Sequence, residues 1–145
     1  PNDIYVADQK IAGVLIQNIL NGKNIRNSII GIGLNLNQEV FYSDAPNPVS
    51  LKNITGKTYD VQSELIKILG NINKQYLEMF TVRKVKPQSM YTFLLYRYNV
   101  EAWYLNKEGI RFKGKIKGVD DLGRLTIETE KGQLDFNFNE INYVL

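Results

Sequence analysis

Ile29-Ile30-Gly31-Ile32-Gly33-Leu34-Asn35-Leu36-Asn37 is the stretch from which the rest of this 145-residue chain can be read. In an extended strand, successive side chains point to opposite faces. Ile30, Ile32, Leu34 and Leu36 then share one face, an ordinary buried layer. Gly31, Gly33, Asn35 and Asn37 share the other, which has no bulk at two positions and ends in two amides. Glycine weakens a strand, so a repeated glycine marks close approach by something flat or by another backbone. Two readings follow. The face is a ligand floor with Asn35 as a polar hook at its end, or it is packed tightly against a neighbouring element. From the run alone, packing is the commoner use.

Upstream, Asn2 to Ala7 reads as a strand and Asp8-Gln9 as a turn. Lys10 to Leu20 reads as a second strand, so the short gap implies an antiparallel hairpin. Asn21-Gly22-Lys23-Asn24 is a turn signal, because Asn and Gly tolerate positive φ. Residues 2–37 thus read as a three-stranded meander in which Lys10 can share the side of Gly31 and Asn35, with the register left open.

Downstream, residues 38–58 read as irregular, with Pro46, Pro48 and Gly56, and one helical turn at Ser50–Ile54. Asp60 suits an N-cap. Val61, Leu65, Ile68, Ile72, Tyr76, Met79 and Phe80 recur at helical spacing, which predicts an amphipathic helix whose stripe is core packing. Pro87 opens a further helix through Met90, Phe93, Leu94 and Arg97. Arg83, Lys84 and Lys86 between the two helices read as a solvated loop.

From Val100 the period becomes two. Trp103 and Leu105 alternate with Tyr104, and Phe112 and Ile116 oppose Lys113, Lys115 and Lys117. Leu125 and Ile127 oppose Thr126 and Glu128, and Leu134, Phe136 and Phe138 oppose Asp135 and Asn137. Turns fall at Asn106–Gly109, Asp120–Gly123 and Lys131-Gly132. Five short strands with tight turns predict a small SH3-like barrel. The fold class is therefore α+β: a partial mixed or antiparallel sheet with packed helices over residues 1–98, then an SH3-like barrel over 99–145.

Composition narrows the chemistry. The chain has no cysteine and no histidine, which excludes thiolate and imidazole catalysis and Cys or His metal sites from these residues. No metal ligand is named. Residues 1–98 carry 11 Lys and Arg against 7 Asp and Glu, whereas 99–145 carry 7 against 8. The net −1 of the second part argues against phosphate-driven nucleic-acid binding there, and the acids Asp120, Asp121, Glu128 and Glu130 make the lysine strip a solvated face. No apolar run approaches the ~20 residues of a membrane helix. The chain starts at Pro1 without methionine and reads as a piece of a longer, cytoplasmic polypeptide.

Three segments in order carry a resemblance. Pro1-Asn2-Asp3-Ile4-Tyr5, Lys10-Ile11-Ala12-Gly13-Val14-Leu15 and Gly31-Ile32-Gly33-Leu34-Asn35-Leu36-Asn37 resemble the second half of biotin protein ligases. Those enzymes carry Lys-Trp-Pro-Asn-Asp, then Lys-(Leu/Ile)-Ala-Gly-(Ile/Val)-Leu, then Gly-x-Gly-(Leu/Ile)-Asn-x-Asn. The spacing, the following Ser50-Leu51 and the C-terminal barrel agree. The resemblance implies ATP-dependent activation of biotin to biotinyl-5′-adenylate, with Mg²⁺, and transfer to a lysine of the biotin carrier domain of a carboxylase. It implies catalytic roles for Lys10, toward the biotin carboxylate and α-phosphate, and for Asp3. It implies binding roles for Asn2, Gly13, Gly31 and Gly33, and adenine recognition by Asn35. A homodimer is an assembly open to it. Glu140-Ile141 matches the family's Gly-Glu-Ile segment weakly, since Asn139 replaces the glycine, and Glu140 is given no role. The family's Gly-Arg-Gly-Arg-type loop and main biotin pocket precede Pro1, so the chain alone is expected to be inactive. The alternatives are a non-catalytic SH3-like binding or scaffold module, and a lipoate-type acyl ligase relative.

Overall fold

The computed structural model describes residues 2–42, 47–81, 87–120, 122–137 and 140–144. The basic cluster Arg83, Lys84 and Lys86 lies outside them, as do Pro1, Pro46, Asp121, Phe138 and Asn139. The chain divides into two compact units, residues 2–75 and residues 76–145.

The first unit is built on a three-stranded antiparallel sheet, β1 (Asp3–Val6), β2 (Gln9–Asn21) and β3 (Asn24–Leu34), in that spatial order. Gly22, at φ +61°, allows the two-residue turn that pairs Asn21 with Asn24. The ladder then runs back to Ala12 opposite Leu34, with one irregularity near Leu20. β3 ends three residues sooner than the alternating pattern predicts, and Asn35 to Asn37 continue beyond it. Residues 47–51 return along the start of β2. The Lys10 amide donates to the Asn47 carbonyl at 2.9 Å, and the Val49 amide donates to the Lys10 carbonyl at 2.9 Å. Ile11, Ala12 and Val49 form a small core here with Leu34 and Leu51.

Ser50 is fully buried and caps α1 (Leu51–Thr55). Its hydroxyl accepts from the Asn53 amide at 3.0 Å and donates to the Gln38 carbonyl, and the Asn53 side chain accepts from the Ser50 amide. One serine thus satisfies a helix end and anchors the loop before it. Asp60 caps α2 (Val61–Thr81), as expected: its carboxylate accepts from the Ser63 side chain and from the Ser63 amide, the latter at 2.8 Å, and in that order these hold the acid below its ordinary range. The α2 stripe is not the packed core that its periodicity predicts. Val61, Leu65, Leu69 and Ile72 are exposed and line one wall of a groove whose other wall is β3.

The second unit contains α3 (Pro87–Leu94) and five strands, β4 (Glu101–Asn106), β5 (Arg111–Val119), β6 (Leu125–Thr129), β7 (Gly132–Phe136) and β8 (Ile141–Tyr143). The expected helix to Arg97 stops at Leu94, since Arg97 takes φ +57° and Asn99 φ +56°, which no right-handed helix contains. The strand count and turns match the period-two reading. The spatial order is β7-β6-β5-β4-β8, all antiparallel, and β7 and β8 at its two edges are not paired among the described residues. Tyr104, Ile116 and Ile127 are fully buried, and Phe112 bridges Tyr104 to Phe136 by stacking at 5.7 and 5.5 Å. Of the lysine strip, Lys113 pairs with Glu101, and Lys117 pairs with Glu128 at 3.4 Å, as a solvated face should.

Gly114 fixes the packing of this sheet. A Cβ there would lie 2.5 Å from Ile127 Cγ2 and 2.7 Å from the Glu128 carbonyl. At Gly33 in the first unit a Cβ would meet nothing within 4 Å. Gly114→Ala is therefore expected to destabilise the second unit by about 2 kcal/mol or more through overpacking. Gly33→Ala is expected to change stability by less than about 1 kcal/mol. Urea unfolding of the two variants, followed by circular dichroism, checks the contrast.

Candidate functional site

Strict alternation would set Lys10 and Gly13 on opposite faces, being three residues apart. A β-bulge changes this. Tyr5 pairs with Lys10 and Ile4 with Ala12, so Ile11 is the extra residue, and the register recovers at Asp3 opposite Gly13. A bulge resets which face the following side chains take. Lys10 and Asp3 now share the Gly13 face, and their ammonium and carboxylate meet at 2.6 Å. A Cβ on Gly13 would lie 3.8 Å from Asp3 Oδ1 and 4.0 Å from Lys10 Nζ. The ion pair thus sits directly over this glycine.

Gly13 pairs with Gly33 across the ladder, and Leu15 with Gly31. Paired residues in an antiparallel ladder point to the same face. Gly13 and Gly33 therefore form a bare level beneath the Lys10 ammonium, and Gly31 continues it along β3 with the Leu15 side chain beside it. It is open: a Cβ at Gly31 would touch only the Leu15 carbonyl, at 3.9 Å. Tight packing, the commoner use of a glycine pair in a strand, does not account for it. The ammonium is part-exposed, able to hold an anion and still answer to solvent.

Asn35 stands at the end of the strip. Its side-chain nitrogen donates to the Val49 carbonyl at 3.2 Å and to the Lys10 carbonyl at 3.4 Å, while its main-chain amide donates to the Ile11 carbonyl at 2.9 Å. Both amide protons are used on the protein. Its Oδ1 accepts nothing among the described residues, which leaves a hydrogen-bond acceptor at the strip's end. Asn37 is spent differently. It donates to the Tyr59 carbonyl at 2.8 Å and accepts from the Tyr59 amide at 2.9 Å, closing the 38–58 loop. Asn2 contributes a main-chain contact, its carbonyl accepting from the Val14 amide at 2.6 Å.

The structure therefore brings together Asp3, Lys10, Gly13, Gly31, Gly33 and Asn35, with Asn2 at the margin. Sequence reasoning passed over the return segment Asn47–Ser50, whose backbone pins Lys10 from the side opposite β1. The signal was present in part: Ser50 with Asn53 three residues on is a capping box, which fixes where the segment must end. No group of three or more His, Cys, Asp or Glu able to hold a metal occurs among the described residues.

Two sequence profiles match the chain. The one described as "Biotin/lipoate A/B protein ligase family" covers residues 1–35, and "Biotin protein ligase C terminal domain" covers residues 105–142. The chain is 33% identical over 141 residues to the "Bifunctional ligase/repressor BirA" of Bacillus subtilis, aligning 91% of this chain with 41% of that protein. The Bacillus spizizenii protein of the same name gives the same identity and coverage. The chain thus spans about two fifths of the length of these curated relatives. Among solved structures, the apo biotin protein ligase from Aquifex aeolicus matches with a TM-score of 0.71 at 26% identity, over 99% of this chain and 62% of that one. The same ligase in complex with biotin and ATP matches at 0.71 and 26%, over 99% and 60%.

Asn35→Ala removes the donors shared by Val49 and Lys10, and a carbonyl left short of a donor costs about 1 kcal/mol. The Val49 amide is expected to exchange roughly fivefold faster with deuterium, while amides of the second unit are unchanged. Hydrogen exchange followed by NMR reads both.

Proposed function

The chain belongs to the biotin protein ligase family, and we propose that it forms the floor and the cationic end of an acyl-adenylate site, followed by the enzyme's C-terminal unit. The observation that carries this reading is the Lys10–Asp3 pair held at 2.6 Å over an open glycine strip. The match to the C-terminal profile over residues 105–142 favours the biotin branch over a lipoate-type relative.

In the first step a biotin carboxylate oxygen attacks the α-phosphorus of ATP. The bond to the bridging oxygen breaks, and pyrophosphate leaves with the electron pair. Negative charge grows on the α-phosphoryl oxygens, and a fixed ammonium next to them lowers the barrier. Lys10 supplies it. Asp3 holds the ammonium in place and acts through it, as a positioning residue. In the second step the amine of a carrier-protein lysine attacks the acyl carbon. AMP leaves, the amine gives up a proton, and an amide results. The level at Gly13 and Gly33 gives the adenylate a surface without side chains, bordered beyond by Leu15 and Gly31. Asn35 keeps an acceptor free, suited to the exocyclic amine of adenine and unsuited to the carbonyl that guanine has there. Asn2 and Gly13 complete the near edge.

The carrier domain of a biotin-dependent carboxylase is the proposed partner, and homodimer formation and a cytoplasmic location belong to the same reading. Residues 99–145 are proposed to close into the SH3-like barrel. Mg²⁺ would shield the phosphates when bound, but the described residues offer it no carboxylate cluster, so no step is routed through it.

The 145-residue chain alone is expected to form no adenylate, because the binding groups of the biotin ring are not among its site residues. Biotin-dependent pyrophosphate release by the purified chain would overturn that. In a complete ligase carrying these residues, Lys10→Ala is expected to lower adenylate formation by about 10²-fold or more. Gly33→Val places bulk on the strip at a position where an added Cβ meets nothing within 4 Å. It should weaken ATP binding by about tenfold, roughly 1.4 kcal/mol, at an unchanged melting temperature. Isothermal titration and thermal scanning test this pair, and unaltered ATP affinity would remove the floor from the proposal. Salt-sensitive DNA binding that Lys10→Ala leaves intact would favour the binding-module alternative.

A further inference from the structure

Ser50 has no exposed surface, and the two-step reaction above gives its hydroxyl no task. That hydroxyl has partners of two kinds. It accepts from the Asn53 amide at 3.0 Å, which caps α1, and it donates to the carbonyl of Gln38, twelve residues earlier. Asn53 Oδ1 also lies 2.8 Å from the hydroxyl, but it already takes the Ser50 amide at 3.1 Å. A hydroxyl has one proton. The Gln38 carbonyl is where it is needed, since no other donor reaches that oxygen among the described residues.

On either side of Ser50 the main chain is bonded, residue by residue, to the end of the glycine floor. The Val49 carbonyl accepts from the Asn35 side chain at 3.2 Å. The Leu51 amide donates to the Asn35 carbonyl at 2.9 Å, and the Lys52 amide donates to the Leu36 carbonyl at 2.9 Å. A helix leaves its first amides without partners inside itself. Here α1 spends two of them on the chain that follows β3. Asn35 is thereby held at its amide, its carbonyl and its side-chain nitrogen. Its Oδ1 is aimed by what α1 holds as much as by β3. Ser50 fixes α1 to that chain twice over: its cap sets where the first turn begins, and its proton ties Gln38, three residues past Asn35, to the same turn.

We propose that Ser50 is a positioning residue for nucleotide selection. Acting through α1 and Gln38, it aims Asn35 Oδ1 and so sets how well the site tells a purine with an exocyclic amine from one with a carbonyl at that place. This rests on the ligase reading, and within it on Asn35 as the adenine hook.

In a complete ligase carrying these residues, biotin-dependent pyrophosphate release is measured with ATP and with GTP. Ser50→Gly removes the hydroxyl at little cost to the cap, where glycine is tolerated. It is expected to raise KM for ATP about fivefold, the worth of one ordinary hydrogen bond. The kcat should stay within about twofold, as a loss of uniform binding demands. GTP kinetics are unchanged, so the preference for ATP falls about fivefold. Asn53→Ala separates this from helix capping. It takes away the acceptor of the Ser50 amide but leaves the hydroxyl both of its partners, so it lowers Tm and keeps the preference. Asn35→Ala is the reference and is expected to lose most of the preference. Preference lost in Asn35→Ala but intact in Ser50→Gly would overturn the proposal and leave the adenine reading standing. Equal losses in Ser50→Gly and Asn53→Ala would also overturn it, by making the effect one of helix stability. Preference retained in Asn35→Ala would overturn the adenine reading, and the role of Ser50 with it.

Discussion

The carbonyl oxygen of Lys10 is where the first unit is tied together. It accepts the Val49 amide from one side and the Asn35 side chain from another, while the Lys10 amide donates to Asn47. Three chain segments far apart in sequence converge on one residue. A carbonyl has two lone pairs, and using both fixes the peptide plane in two directions. With the plane fixed and Ile11 accommodated as a bulge, the lysine side chain leaves toward Asp3 and Gly13. The face from which the lysine side chain leaves is thus set by these hydrogen bonds, and Asp3 fixes where its ammonium ends.

That arrangement also explains why the two faces of β3 differ so much. One face presents glycine and stays bare. The other presents isoleucine and leucine opposite an equally apolar helix. Folding normally removes such surface from water, at roughly 25 cal/mol per Å² of apolar area. In these residues much of it is still accessible, although the small core of Ile11, Ala12 and Val49 is complete. The first unit holds its site geometry by hydrogen bonds and turns more than by apolar burial. The second unit is the reverse, with Tyr104, Ile116 and Ile127 at its centre and few polar interactions inside.

Much of this was legible in the chain. Alternation at Ile29–Asn37 gave two unlike faces, Asn21-Gly22 gave the turn, and Asp60 gave the start of α2. The strands from Trp103 to Phe136 could be read because their alternation is punctuated by turn residues, whereas β8, three residues long, shows none. The bulge at Ile11 could not, because Lys-Ile-Ala-Gly contains nothing that marks one residue as surplus. It arises from pairing with β1 on one side and with residues 47–49 on the other, a tertiary effect. For the same reason the α2 stripe promised a core: periodicity says which side is apolar, and not what lies against it. The end of α3 was missed because no glycine announces the positive φ at Arg97. The site residues were legible through their order in a familiar pattern, whereas the committed protons of Asn35 could be found only from coordinates.

The pairing of β1 stops at Gly13, and beyond it β2 and β3 continue as a two-stranded ribbon to Asn21 and Asn24. Ribbons of two strands coil more strongly than sheets. The row from Gly13 through Gly33 to Gly31 therefore winds like a stair and does not lie flat as a plank. For the proposed adenylate this leaves one level, at Gly13 and Gly33, free of side chains, while the Leu15 side chain borders the next, at Gly31.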